Sequence, residues 1–208
     1  MAGDRRATAG NVIVTEQVDK VIELDATTMI AIAGVPATAF EIARTLQTAF
    51  EYYRRSQLQS LSLPARVRAL SRALRDNLAL TLQGVGVVAP IFAGLDTSVS
   101  PAAPRLYFYD PLGAQFQSTT HAASGSGSNS IRSLLSFHER FGNPHPSKYG
   151  RREAIRFALR LLITASEFDS ATGGVQPDAA RFANLKILGP HGIESVPDAE
   201  QAASFAAP

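Results

Sequence analysis

A lysine in apolar surroundings is the first residue of this sequence whose type and position could support chemistry. Alternation over 18–24 predicts a β-strand, in which one face would carry Val18, Lys20, Ile22 and Leu24. An ammonium on an apolar face is unfavourable unless it has an acidic partner or a functional use. A charge that protects a sheet edge, or a side chain that reaches out to solvent, would give the same pattern. The pattern alone leaves Lys20 open between a functional and a structural cation.

A serine- and glycine-rich segment, Ser124–Ser128, precedes a predicted helix. It could be a flexible linker, or a turn that caps the helix through Ser128. A strand, a glycine-rich turn and a helix in this order could also bind phosphate. That interpretation is disfavoured because Ser130 stands where a third glycine is needed and no P-loop lysine follows.

A second cluster of polar groups follows the predicted helix that contains Ile155 and Leu162. The turn Asp169-Ser-Ala-Thr-Gly-Gly places a carboxylate and two hydroxyls close together, although its glycines would equally serve to end a helix. The four histidines lack metal-ligand spacing. The absence of cysteine excludes disulfides, thiol catalysis and Cys-ligated zinc. We therefore expect neither a metal nor a cofactor.

Composition is that of an ordinary globular protein. Of 208 residues, 45% are hydrophobic and 18% charged, and a net charge of +2 gives no reason to expect nucleic acid as a partner. Three of the first six residues are charged and no apolar stretch follows them, so no secretory signal is predicted. No apolar run is long enough to span a membrane. The expected location is the cytoplasm.

The predicted elements alternate between strands and pairs of helices. Short strands over 12–14 and 18–24 and a buried strand over 28–34 come first. A helix beginning at Val35-Pro36 then carries an apolar stripe of Phe40, Ala43, Leu46, Phe50 and Tyr53. A second helix, beginning at Leu63-Pro64, has a stripe of Val67, Leu70, Leu74 and Leu78.

Strands are predicted next over 84–95, 105–109 and 114–117, with a turn at 110–113. Two more helices follow, and two final strands over 185–188 and 193–196. Without strict β-α-β alternation or a repeat, a doubly wound sheet is disfavoured. Paired helices predict helical layers that cover two packed sheets, within a single domain over residues 1–208.

Five motifs in order make the sequence resemble the β-type subunits of bacterial proteasomes. They are Gly-Asp-Arg-Arg at 3–6, Lys20 at the spacing of the family's active-site lysine, Ile32-Ala33-Gly34 before the first long helix, Gly-Ser-Gly-Ser at 125–128, and Asp-Ser-Ala-Thr-Gly-Gly at 169–174. The last form is similar to that of actinobacterial subunits. The resemblance covers nearly the whole chain.

The resemblance implies an α/β (α+β) fold, the four-layer αββα sandwich of N-terminal-nucleophile hydrolases. It also implies catalysis by the hydroxyl of an N-terminal threonine, with its own α-amine as base. Asp4 and Lys20 would be the ion pair beside that threonine, and the Gly34 N–H would donate to the oxyanion. Ser126, Asp169 and Thr172 would surround the amine. The first specificity pocket would be lined by Ala7, Thr8, Val18, Ile22, Pro36 and Phe40, which favours cleavage after hydrophobic residues.

The nucleophile itself is absent from these 208 residues, because no threonine precedes Asp4. We expect the missing strand and its threonine to be encoded upstream, and the chain as printed to be inactive. The alternatives are a non-catalytic ring subunit of the same fold and, less favoured, a nucleotide-binding α/β protein. By resemblance the partners are proteasome α-type subunits and other β subunits in seven-membered rings, a regulatory ATPase ring indirectly, and unfolded protein substrates, with no nucleic acid or membrane.

Overall fold

The computed structural model describes residues 1–118, 120–176, 178 and 180–206. The chain divides into two compact units. The first unit comprises Met1–Lys20, Gly125–Lys186 and Ser195–Pro208, and the second comprises Val21–Ser124 and Ile187–Glu194. Among the described residues, no helix is both long and apolar enough to cross a membrane.

Helices and strands alternate along the chain in groups, as the sequence predicts. The strands are β1 Ala2–Gly3, β2 Ala7–Ala9, β3 Val12–Thr15, β4 Val21–Asp25, β5 Thr28–Ala31, β6 Ile91–Asp96, β7 Ala103–Tyr109, β8 Gln115–Ser118, β9 Asn184–Gly189 and β10 Gly192–Ser195. The helices are α1 Pro36–Gln57, α2 Leu63–Asp76, α3 Leu78–Leu82, α4 Ser128–Phe141, α5 Arg151–Phe168 and α6 Asp198–Ala206, with a 3-10 turn at Pro146–Lys148.

The second unit is an antiparallel five-stranded sheet, ordered β4-β5-β6-β7-β8, with α1 and α2 packed on it. Its core contains the fully buried side chains of Ile30, Leu70, Leu74 and Phe92. Asp110 fixes the β7–β8 turn by accepting hydrogen bonds from the backbone N–H groups of residues 112 and 114. The predicted turn at 110–113 is present.

The first unit contains the helices α4, α5 and α6 and the short strands near the N-terminus. Strand β1 pairs antiparallel with the first residues of β9, opposing Ala2 to Leu185 and Gly3 to Asn184. Strands β2 and β3 form a separate antiparallel pair. The helix α5 buries Ile155, Leu159 and Leu162, three of the apolar residues predicted for it, whereas the fourth, Ile163, is only partly buried.

Strand β4 begins later than predicted. It starts at Val21, so Lys20 lies in the segment before the strand and does not share an alternating face with Ile22 and Leu24. The buried residues of β4 are Val21 and Leu24, and its pairing register shifts between Glu23 and Asp25. The predicted strand over 18–24 was therefore wrong in its first three residues, because Val21 pairs with Ala31, the last residue of β5, and the residues before Val21 have no partner in that strand.

Helix stripes also differ from prediction in two places. In α1 the buried positions include Ala39 and Ile42, whereas Phe40 is 37% exposed. The second helix ends at Asp76, and Leu78, which is 36% exposed, starts the separate α3. The predicted second helix is therefore divided in two, and the five-residue α3 extends beyond the last residue predicted for it, Leu78.

Strand and helix bounds were mispredicted in two more segments. The strand predicted over 84–95 is confined to Ile91–Asp96, because turns and a short bridge at Val88 occupy its first half. The terminal helix α6 was missed, since its alanine-rich sequence has only a weak apolar stripe.

Candidate active site

Asp4, in the segment between β1 and β2, forms an ion pair with Lys20. The carboxylate of Asp4 accepts a hydrogen bond from the Lys20 ammonium, with Nζ 2.8 Å from Oδ1. The side chains of Lys20 and Asp4 are 22% and 13% exposed. The backbone N–H of Val18 donates to the Arg5 carbonyl at 3.0 Å and holds the lysine segment beside this region. The acidic partner that a largely shielded lysine requires is therefore present.

The second carboxylate oxygen of Asp4 contacts the late polar turn. Oδ2 accepts the backbone N–H of Gly173 at 2.9 Å and that of Arg6 at 3.0 Å. Two parts of the sequence separated by about 170 residues therefore meet at one carboxylate. The turn that follows α5 is anchored to the residue that binds Lys20.

Asp169 organises this turn. Its Oδ2 accepts hydrogen bonds from the hydroxyls of Ser126 and Thr172, each at 2.5 Å, and its Oδ1 accepts the N–H of Ala171 at 3.2 Å. A side chain that bonds the backbone two residues on favours a tight turn. Thr172 is buried.

The pKa of Asp169 is shifted by competing effects. Burial raises the pKa, but the hydrogen bonds from Ser126, Thr172 and the Ala171 amide outweigh burial, and the Lys20 charge adds a smaller attraction. The net result is a pKa below the ordinary value for aspartate. The carboxylate is ionised at neutral pH.

The serine- and glycine-rich segment lies beside that carboxylate. The Ser126 hydroxyl is engaged by Asp169 and the first residue inside α4 is Ser128, so the N-cap position falls on Gly127. An ionised carboxylate at the start of this helix repels phosphate. The location therefore disfavours the nucleotide-binding alternative.

The structure brings five of the predicted catalytic residues together in the first unit: Asp4, Lys20, Ser126, Asp169 and Thr172. The sixth, Gly34, lies in the second unit between β5 and α1. Its φ is +112°, and a Cβ there would lie 2.1 Å from the Val87 carbonyl oxygen, so only glycine fits.

The predicted pocket residues are distributed over both units. The first unit contains Ala7, Thr8 and Val18, and the second contains Ile22, Pro36 and Phe40. None of the six is fully buried. Each therefore has surface that another molecule can contact.

Two residues that contact the site, Arg6 and Glu16, were not predicted individually from the sequence. Arg6 was recognised only as part of a motif, yet its guanidinium contacts the turn after α5. Glu16, which binds Arg6, had no local signal, because a single acidic residue after an exposed strand is ordinary in sequence. Among the described residues, no group of three or more histidines or acids could hold a metal ion.

Comparison with known proteins agrees with the motifs. A family model described as "Proteasome subunit" matches residues 1–176. The proteasome subunit beta of Stackebrandtia nassauensis is 38% identical over 204 residues, which cover 96% of this chain and 70% of that protein. That of Acidothermus cellulolyticus is 38% identical over 185 residues, covering 87% and 60%. Proteasome subunit beta 2 of Thermomonospora curvata is 37% identical over 204 residues, covering 97% and 69%.

The mixture of helices and antiparallel sheets, together with the family match, is consistent with the α+β sandwich of N-terminal-nucleophile hydrolases, the predicted fold class. The chain belongs to the proteasome subunit family, as a bacterial-type β subunit of the core particle. The resemblance inferred from the five motifs is thereby confirmed. The chain spans 60–70% of the length of these three relatives.

Proposed function

We propose that this β subunit is a threonine-type endopeptidase, whose nucleophile is encoded upstream of the 208 residues. The observation that carries the proposal is the Asp4 carboxylate, which binds both the Lys20 ammonium and the turn that contains Asp169. A purely structural lysine at a sheet edge needs no such shared carboxylate. The 208 residues alone are expected to be inactive.

The chemistry follows from the charges of these groups. A threonine hydroxyl is a weak nucleophile and needs a base, and an α-amine with a pKa of about 8 can serve when threonine is the first residue. A neighbouring ammonium favours the neutral, proton-accepting form of that amine and stabilises a developing alkoxide. We assign these roles to Lys20, held in place by Asp4.

The other predicted roles remain part of the same proposal. Ser126, Asp169 and Thr172 form one hydrogen-bonded cluster, which suits a shell around the terminal amine. The Gly34 N–H would donate to the tetrahedral oxyanion. That assignment rests on the family resemblance.

Substrate preference is predicted from the apolar pocket residues. Ala7, Val18, Ile22, Pro36 and Phe40 are apolar, and Thr8 adds a methyl and a hydroxyl. An apolar pocket favours a hydrophobic residue before the scissile bond. We propose that unfolded proteins are cleaved after hydrophobic residues, with no cofactor.

Family membership implies assembly with other proteasome subunits in rings. We propose seven-membered β rings stacked on rings of α-type subunits in the cytoplasm, with a regulatory ATPase ring that delivers substrates. Neither nucleic acid nor a membrane is expected as a partner. The single proteasome β-type domain over 1–208 stays a prediction.

The test is to express the gene with its upstream codons and an α-type partner, and to assay the assembled particle with fluorogenic peptides. Peptides with a hydrophobic P1 residue should be cleaved, and the same peptides with an acidic P1 residue should be cleaved more slowly. An assembled, processed particle without activity would favour the non-catalytic ring subunit instead.

A further inference from the structure

Arg6 lies at the centre of a network that has no role in the proposal above. Its Nη1 donates to the carbonyl oxygens of Ser170, at 2.9 Å, and Thr172, at 3.3 Å. Its Nε and Nη2 donate to one carboxylate oxygen of Glu16 at 3.2 and 2.7 Å. Only 16% of the Arg6 side chain is exposed. One guanidinium therefore links the end of β3 to the turn after α5.

Glu16 determines where the guanidinium points. The guanidinium is planar and its N–H groups have fixed directions, so a carboxylate that engages Nε and Nη2 also fixes the direction of Nη1. The other oxygen of Glu16 accepts a hydrogen bond from Arg181. The hydrogen bond from Arg6 lowers the pKa of Glu16 more than burial raises it, so the carboxylate is charged at neutral pH.

The turn packs directly against Arg6. A Cβ added at Gly173 would lie 2.6 Å from the Arg6 Cβ, closer than real contacts allow. The backbone N–H groups of Arg6 and Gly173 both donate to Asp4 Oδ2. The distance between the turn and the Asp4–Lys20 ion pair therefore depends on the position of Arg6.

We propose that Glu16 is a positioning residue, which orients Arg6 and thereby fixes the turn 169–173 against the Asp4–Lys20 pair. The catalytic consequence rests on the proposed function, whereas the fixing of the turn does not. Neither Glu16 nor Arg6 is among the predicted pocket residues. Loss of Glu16 should therefore act on kcat more than on KM.

Glu51 offers a matched control. It is also a carboxylate that bridges two arginines, Arg54 and Arg55, but it lies on the exposed surface of α1 in the second unit. Glu51→Ala removes the same chemical group from a place without contact to the turn. The variants to compare are Glu16→Ala, Glu16→Gln, Glu16→Asp and Glu51→Ala, each in the complete, assembled particle.

Glu16→Ala should lower kcat about 10- to 100-fold, because small misplacements of catalytic groups are costly. KM should change less than about twofold, as expected when substrate binding is untouched. Glu16→Asp keeps the charge and should recover part of the loss, and Glu51→Ala should equal the wild type. Glu16→Gln removes the charge but keeps the side-chain shape. It replaces Glu16→Ala in the same measurements if the alanine variant fails to assemble.

Hydrogen exchange measured by mass spectrometry gives a readout that does not need activity. Peptides that cover 169–174 should exchange faster in the Glu16 variants than in wild type or Glu51→Ala, because the Gly173 N–H loses protection. If the wild-type particle proves inactive and the Glu16 variants still exchange faster than it does over 169–174, the positioning role is supported and only the peptidase proposal is rejected. Unchanged exchange and unchanged kcat in Glu16→Ala would overturn the positioning role itself.

Discussion

The ammonium of Lys20 and the carboxylate of Asp4 form an ion pair at 2.8 Å, and both side chains are mostly shielded from solvent. The pair is also linked to the turn after α5, because the other oxygen of Asp4 accepts a hydrogen bond from the N–H of Gly173. Removal of one charge from such a pair leaves the other inadequately compensated. The relationship therefore affects both stability and the proposed chemistry.

Lys20→Ala in the complete particle should reduce peptidase activity by more than about 100-fold, since proton transfer and alkoxide stabilisation both depend on the cation. The free energy of unfolding should fall by about 1–3 kcal/mol, less than for a fully buried pair, because Asp4 keeps two backbone donors. Peptide assays and urea unfolding measure the two effects. Lys148→Ala, at an exposed lysine in the 3-10 turn, is the control. Near-normal turnover in Lys20→Ala would assign the lysine a structural role only.

Some residues of this site could be predicted from the sequence and others could not. Lys20, Ser126 and Asp169 were identified from residue type, spacing and family motifs, since these patterns are local. The strand proposed to carry Lys20 was wrong at its start, because where β4 begins depends on where its partner β5 ends, at Ala31, and the alternation of residue types does not show this. The contact between Glu16 and Arg6 depends on how β2 and β3 pair, which a single sequence does not specify.

The requirement for glycine at position 34, in the second unit, can be tested by substitution. Gly34→Ala should lower stability by about 2–4 kcal/mol, because its φ of +112° is unfavourable for alanine and the new Cβ meets the Val87 carbonyl. Gly10→Ala is the control, since φ there is +59° and no atom lies within 4 Å of an added Cβ. Its expected loss is about 1 kcal/mol. Equal losses in thermal unfolding would contradict the clash at Val87.

Asp169 should make stability depend on acid pH. Its folded pKa is below the ordinary value, so ionisation stabilises the folded state above the unfolded pKa of about 4, and this contribution is lost as pH falls through the folded pKa. The difference in unfolding free energy between wild type and Asp169→Asn should be largest near neutral pH and should shrink below about pH 4. Urea unfolding over a pH series measures it. A difference that grows on acidification would show that the pKa of Asp169 is raised.

Assembly is the broadest prediction of the family assignment. Several aromatic side chains of the first unit are exposed in the isolated chain, including Phe141 on α4 at 65% and Phe168 at the end of α5 at 76%. No residue of α4 is fully buried. Burial of a phenylalanine contributes about 1.5–3 kcal/mol, so contact with neighbouring subunits would stabilise such a surface.

The complete protein co-expressed with its α-type partner should therefore form a large, discrete particle in size-exclusion chromatography with light scattering. Phe137→Ser combined with Phe141→Ser should shift the population towards smaller species, because two exposed aromatics of α4 are lost. Substitution at Tyr52, which is exposed on α1 of the second unit, tests whether any exposed aromatic has this effect. A stable monomer of the complete wild-type protein in the presence of its partner would contradict the proposed ring assembly. An intact particle from the double phenylalanine variant would instead show that α4 is not a contact between subunits.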